Sequence, residues 1–353
     1  MNNSLTRILL VSLFAFCLLL SACGAQAPAA APAETPAPTP EAAAEAPAEP
    51  SVPEAAFDTD LTVRVMTLNG TTGFGMAGLI ARHAAGGTEL NYSFAVDTDA
   101  SNVTAALVSG SCDIAALPTN AAAALYNKTE GSVQVLALNT RGVLYLVTDG
   151  SVAVESVSDL DGMTVYVPAQ NPSFIFGHIC SANGVEAEID NSYAQPAELN
   201  TAVAAGEVSL AVLPEPMVTV ARSQNADLQV ALDLTAEWDK VSEPGSLVQG
   251  CVVVRTAFAA EHPEELAKFL EDYAASVELL TADTAAAAKA IEETGIFAKA
   301  AVAEKAIPNC NVCFVTGADM QAQLSAFLEI MFETAPQSIG GKLPADDFYC
   351  ILK

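Results

Sequence analysis

Ala105–Asn120, AALVSGSCDIAALPTN, is the stretch whose reading decides the fold. It reads as the end of a helix, a turn at Gly110, then a short buried strand from Asp113 to Leu117 that Pro118 stops. Thr119 and Asn120 are candidate N-caps for the Ala-rich helix that follows. Later in the chain Thr201–Pro216, TAVAAGEVSLAVLPEP, repeats the pattern. Gly206 falls on Gly110, Ala211 on Ala115, and Leu213-Pro214 on Leu117-Pro118.

The echo extends outward. Downstream, Val133 to Leu138 (VQVLAL) is answered by Leu228 to Asp233 (LQVALD), and upstream Leu61 to Val65 (LTVRV) by Met163 to Val167 (MTVYV). Text rich in Ala and Val matches itself easily, but three segments in one order at nearly constant offset argue against chance. Each unit runs strand, loop, helix, strand, helix, Gly, strand-Leu-Pro, helix, strand. Two such units imply an α/β protein of two similar lobes, each built on its own mostly parallel sheet.

The N-terminal end belongs to no fold. Arg7 gives a positive start, and Ile8 to Leu20 is an apolar run too short to span a membrane comfortably. It ends in Leu20-Ser21-Ala22-Cys23, which resembles the lipobox of bacterial lipoproteins. The resemblance implies a signal peptide over residues 1–22 and acylation of Cys23. Residues 23–60 are mostly Ala, Pro and Glu, with almost no large apolar residue and no Lys or Arg. Such a composition buries too little apolar surface to offset chain entropy, so it reads as a disordered tether.

The remainder is long enough for two lobes of ordinary size. Hydrophobic residues make up 52% of the chain, enough for a sizeable core. Fourteen basic against 42 acidic residues, a formal net charge of −28, argue against nucleic acid or another polyanion as a partner. Beyond Cys17 and Cys23 there are six cysteines, Cys112, Cys180, Cys251, Cys310, Cys313 and Cys350. Several sit in apolar text, so the expectation is buried thiols with at most one bridge.

The first lobe is expected over residues 61–148 and 247–353, the second over 149–246. Crossings near Val147 to Val157 and near Asp233 to Leu247 make a hinge, and a hinge between two lobes makes a cleft. His262-Pro263-Glu264-Glu265 opens a helix, with Leu266, Phe269, Leu270 and Tyr273 as its apolar stripe. Further helices near Thr284 to Glu293 and Asp319 to Phe332 would pack back on the first lobe.

The lipobox, the tether, SGSCDIAALPTN, the return strand running into RTAFAAEHPEEL and the closing helices together resemble ABC-transporter solute-binding proteins. The nearest group is that of nitrate, sulfonate, taurine and thiamine-pyrimidine binders, with the type II periplasmic-binding-protein fold. The resemblance implies a monomer outside the cell membrane, lipid-anchored, that hands a small solute to permease and ATPase subunits and carries no cofactor. It leaves open two rivals, an enzyme like the pyrimidine synthases of the same fold and a receptor for a signalling partner.

Ligands of open α/β sheets lie beyond the carboxyl ends of strands, so the loops there are the candidate site. After the first strand come Thr71, Thr72, Gly73 and Phe74. Their hydroxyls and N–H groups suit a polar or anionic ligand group, or serve a plain turn. Pro118, Thr119 and Asn120 end another strand. In the second lobe Gln170, Asn171 and Ser173 match the Thr71 loop, and Glu215 matches Thr119. Glu215 reads either as an acceptor for a ligand amine, amide or ring nitrogen or as a solvent-facing acid at a helix start. Arg141 stands near both a strand end and the hinge, where it binds an anion or lies on the surface. Phe74, Phe174 and Phe176 stack on a flat ligand or pack in the core.

No zinc-protease spacing, nucleophile elbow or nucleotide loop appears, and His83, His178 and His262 are far apart in sequence. Cys310-Asn311-Val312-Cys313 lacks the second pair of a zinc site, and the dense cysteine run of the pyrimidine synthases is absent. A binding protein is expected, not an enzyme, and no metal.

Overall fold

The computed structural model describes Asp58 and residues 60–352. The signal segment, Cys23 and nearly all of the tether lie outside these residues. The tether's far end is already part of the fold, since the Asp58 N–H donates to Glu265 Oε1 at 3.1 Å.

The chain begins with β1 (Thr62–Leu68), the single turn α1 (Thr71–Phe74), α2 (Ala77–Ala84) and β2 (Asn91–Asp97). Next come α3 (Ala100–Ser109), β3 (Ile114–Pro118), α4 (Thr119–Lys128) and β4 (Val133–Arg141). The repeat follows as β5 (Leu144–Thr148), β6 (Thr164–Tyr166), α5 (Asn171–Ala182), β7 (Glu188–Asp190) and α6 (Pro196–Ala204). It ends with β8 (Leu210–Pro214), α7 (Met217–Gln224), β9 (Gln229–Asp233) and α8 (Leu234–Val241). The chain returns through β10 (Val248–Arg255), α9 (Thr256–Glu261), α10 (Pro263–Ala282) and α11 (Thr284–Glu293). It closes with α12 (Ala300–Ala306), β11 (Val312–Val315) and α13 (Gly317–Thr334).

These strands form two sheets, ordered β11-β4-β10-β3-β1-β2 and β7-β6-β8-β5-β9. Read from the β2 edge, the first runs β2-β1-β3-β10-β4, strand for strand the order of the second. The repeat seen in the sequence is therefore a repeat of topology. In each sheet one strand arrives from the other half of the chain and enters antiparallel: β10 between β3 and β4, β5 between β8 and β9. The strands of each repeat share one direction, with β1 parallel to β2 and β3, and β6 parallel to β7 and β8. The matched glycines close helices in the same way. Gly110 caps α3 at φ 73° and Gly206 follows α6 at φ 74°, a left-handed conformation open to Gly at little cost.

Two expectations are corrected. Leu144–Thr148 does not end the first lobe but is an inner strand of the second sheet, so the chain crosses at residues 142–143. Its apolar text fits the middle of either sheet. The second crossing is shorter than expected because α8 occupies 234–241, with Asp233 capping it by accepting from Thr235 N–H at 2.8 Å. The C-terminal part is largely helical, with one short strand, β11, that carries Cys313 and pairs with β4 at the sheet edge.

The core is shared. Phe327 of α13 lies 5.7 Å from Trp238 of α8 and 6.3 Å from Phe174 of α5 between ring centroids, and α13 also packs on β4 and β10, so the last long helix touches both halves. All six cysteines among the described residues are free thiols, four of them buried. Also among the described residues, no helix is long and apolar enough to cross a membrane.

Candidate functional site

The carboxyl ends of β1 and β8 face one cavity of about 480 Å³ between the two sheets. Asn69, Gly70 and Thr71 form one wall, and Gly295, Ile296, Phe297 and Ala298, just after α11, form the next. Pro214, Glu215, Pro216 and Met217, with Pro196, close it from the other side. The first two walls are tied together, the Gly70 N–H donating to Ile296 O at 3.0 Å. Phe297 stands edge-on to Phe74 with centroids 6.2 Å apart. Of the expected loop, then, Thr71 lines the cavity, Thr72 uses its carbonyl to accept from Asn139 Nδ2 at 3.1 Å, and Gly73 and Phe74 are buried. Phe74 is a core residue that backs the wall.

Glu215 is the charged side chain of this cavity. It is 3% exposed, which rules out the solvent-facing reading. Its Oε2 accepts from Thr219 N–H at 3.1 Å and its Oε1 from Thr219 Oγ1 at 3.0 Å, so the carboxylate caps the first turn of α7. Burial pushes the carboxyl above the ordinary range, and the hydrogen bonds from Thr219 and Asn309 and the charge of Arg222 offset this only in part.

The facing N-termini of α4 and α5 form a second contact between the halves. Asn171 Nδ2 donates to Asn120 Oδ1 at 2.9 Å. Neither Thr119 nor Asn120 caps α4, whose N-cap residue is Pro118 with no side-chain cap bond. Thr119 is fully buried with Oγ1 donating to Val248 O at 2.8 Å, and Asn120 is engaged across the interface. Gln170 precedes α5 at φ 69°, and Ser173 Oγ donates to Pro168 O at 2.8 Å within its own loop. Arg141 is not at the cavity. Its guanidinium lies beside Gly245 and Cys313, and its N–H donates to Asn311 O at 3.0 Å. Phe176 is buried in the core, and Phe174 packs on His178 and Phe327.

Residues 84–287, more than half of the chain, match the family described as NMT1/THI5 like. The chain belongs to that family. Among curated proteins none matches it. Among solved structures, this NMT1/THI5-like chain is similar to an ABC transporter protein of Parabacteroides distasonis. The two are 22% identical with a TM-score of 0.72, over 83% of this chain and 100% of that one. It is also similar to the periplasmic aliphatic sulphonate binding protein SsuA of Escherichia coli, at 13% identity and TM-score 0.63, covering 83% and 94%. The alkanesulfonate-binding protein SsuA of Xanthomonas axonopodis pv. citri, bound to MOPS, gives 14% and 0.58, covering 82% and 96%. These likenesses are of fold, and the fold is that of the periplasmic binding proteins.

Several walls of the NMT1/THI5-like cavity escaped the sequence reading: Pro196, Met217 and the 295–298 turn. A signal existed in Gly295-Ile296-Phe297. Two large apolar residues directly after a helix-ending Gly have to cover something, and here they cover the cavity and Phe74.

Proposed function

We propose that this protein is the solute-binding component of an ABC importer, held outside the cell membrane as a monomer by a lipid on Cys23. It takes one small solute into the cavity between its lobes, closes on it, and offers the closed form to permease and ATPase subunits. The lobes are the two sheets with their helices, joined at 142–143 and 242–247. The observation that carries the reading is the cavity of about 480 Å³ at the ends of β1 and β8, walled from both sides. Its size suits a small molecule, and its place matches the rule for open α/β sheets. Family membership and fold support it.

Binding without turnover is the favoured chemistry. Of the three histidines, His83 engages Thr88, His178 engages Ser242 and His262 faces Glu265, and none lines the cavity. A thermal-shift screen of the purified protein against sulfonates, nitrate, pyrimidines, flavins and amino acids tests the reading. A true solute at a hundredfold excess over its Kd stabilises by about 2.7 kcal/mol. Turnover of the stabilising compound without a permease would favour the enzyme instead. For the anchor, Cys23→Ala should remove lipid labelling while leaving the melting temperature unchanged.

A further inference from the structure

The two halves are joined by chain at 142–143 and 242–247, and a third time without a chain. Tyr145, on β5 of the second sheet, is 7% exposed, and its ring belongs to the second half's apolar cluster with Leu213 and Val218. Its hydroxyl leaves that cluster and donates to Asn309 O at 2.8 Å, in the turn between α12 and β11 of the first half. A buried tyrosine hydroxyl needs a partner, and this one takes it from across the divide. Burial and the charges of Asp233 and Glu215 push the phenol above its ordinary range, so the donor persists near neutral pH. The turn is seated firmly on its own side. Cys310 is fully buried in the first half's cluster with Phe74, Ile296 and Ala303. Asn311, at φ 45°, donates from Nδ2 to Gly142 O at 2.6 Å, and its carbonyl accepts from Arg141 N–H at 3.0 Å. Asn309 itself is exposed, so water can take its place when the bond breaks.

Each partner is fastened to one wall of the cavity. Tyr145 pairs with Leu213 and Leu144 with Pro214, in the ladder that leads into the wall from Pro214 to Met217. Asn309 follows α12, which starts directly after the wall at 295–298. We propose that Tyr145 and Asn309 form a releasable clasp, which sets the angle between these two walls and opens when the cavity exchanges its contents. The inference rests on the reading that the halves close on a solute, and it names the contact that regulates the closing. One hydrogen bond between uncharged groups suits this role. Its net worth against water is small, so it biases two positions of the halves without locking either.

The test is single-molecule energy transfer in the full-length protein, labelled through click-reactive residues at Ser101 on α3 and Ser181 on α5. Both positions are exposed, and one lies in each half. Tyr145→Phe keeps the ring and loses only the hydroxyl. It is expected to move the ratio of the two populations about 2–10-fold toward the one with less transfer, the worth of one uncharged hydrogen bond. Asn311→Gly should do the same, since Gly accepts the left-handed φ while the bond that seats the turn is lost. Asn91→Ala removes a hydrogen bond to Thr62 within the first half and should leave the ratio unchanged. A lowered melting temperature with an unmoved ratio in Tyr145→Phe overturns the clasp and leaves the solute-binding reading standing. A shift toward more transfer overturns it too. One fixed population in the unmodified protein and in every variant overturns both the clasp and the closing of the halves. If Tyr145→Phe fails to fold, Asn311→Gly decides.

Discussion

Asp113 clamps three strands with one carboxylate. Its Oδ2 accepts from Arg64 Nε at 2.7 Å and from the Arg64 N–H at 3.1 Å, and its Oδ1 accepts from Arg64 Nη2 at 2.6 Å and Arg255 Nη2 at 2.7 Å. Arg64 lies on β1, Asp113 at the entry to β3 and Arg255 at the end of β10. Burial alone would raise this carboxyl, but the hydrogen bonds from Arg64 and Arg255 outweigh it and hold it below the ordinary carboxylate range. Asp113→Asn should cost about 2–3 kcal/mol, less than the 3–5 of a fully buried pair, because the Arg64 side chain stays 41% exposed. A carboxyl depressed in the fold stabilises above its unfolded pKa and loses that contribution as pH falls through the folded value. The gap between the two proteins in urea melts should be constant from about pH 6 to 8 and shrink below about pH 4. A gap of the same size at pH 3 would show that the charge is not what the clamp uses. The thiols give a second check. Burial pushes Cys180 and Cys313 up to about 11 and Cys112 to about 12, so the folded protein should react slowly with a thiol reagent at pH 7.5. After unfolding, the six cysteines from Cys112 to Cys350 should all react without a reductant.

At the scale of elements, the helix N-termini of α4 and α5 meet through Asn120 and Asn171, and this contact is testable as a pair. A double-mutant cycle with Asn120→Ala and Asn171→Ala should give a coupling of about 0.5–1.5 kcal/mol in stability. Coupling near zero would mean that the two amides do not hold the halves together. This pair also shows where sequence reading stops. Thr119 and Asn120 carry every local mark of an N-cap, yet both side chains are claimed by partners distant in sequence, Val248 and Asn171. No local pattern records that. By contrast α11 was legible to the residue. Asp283 caps it by accepting from Ala286 N–H at 3.0 Å, and its apolar residues recur at helical spacing. The repeat was legible because Gly110 and Gly206 sit at turns whose backbone calls for Gly. β5 was misplaced because an all-apolar strand carries no mark of which sheet it joins. The Glu215 side of the cavity was legible, and the turn after α11 was not, since its role appears only when α11 is brought back against β1.

For the whole molecule, the relation between the halves is set where the chain crosses. Gly142-Val143 passes from β4 to β5, fixed by Asn311 Nδ2 donating to Gly142 O at 2.6 Å and by the Glu215 N–H donating to Val143 O at 2.9 Å. The second crossing runs alongside. A Cβ placed on Gly142 would collide with Thr235 Oγ1 at the start of α8 and with Leu247 Cδ2 at the end of the other crossing. Both are side-chain atoms, but Leu247 is fully buried and has little room to turn away, so the added carbon strains the contact between the two connections. Gly142→Ala should therefore destabilise the protein by about 1–3 kcal/mol, the usual cost of overpacking. It should also weaken solute binding, although Gly142 does not line the cavity. Gly177→Ala is the control. Gly177 lies inside α5, where the added Cβ makes ordinary contact at 3.5 Å from Ile189 Cδ1. There the gain in helix propensity should stabilise by about 0.5–1 kcal/mol. Urea melts of both variants give opposite signs if the crossing is as tightly packed as its contacts imply. If Gly142→Ala melts with Gly177→Ala, above the unmodified protein, the two connections have room to move and the hinge lies elsewhere.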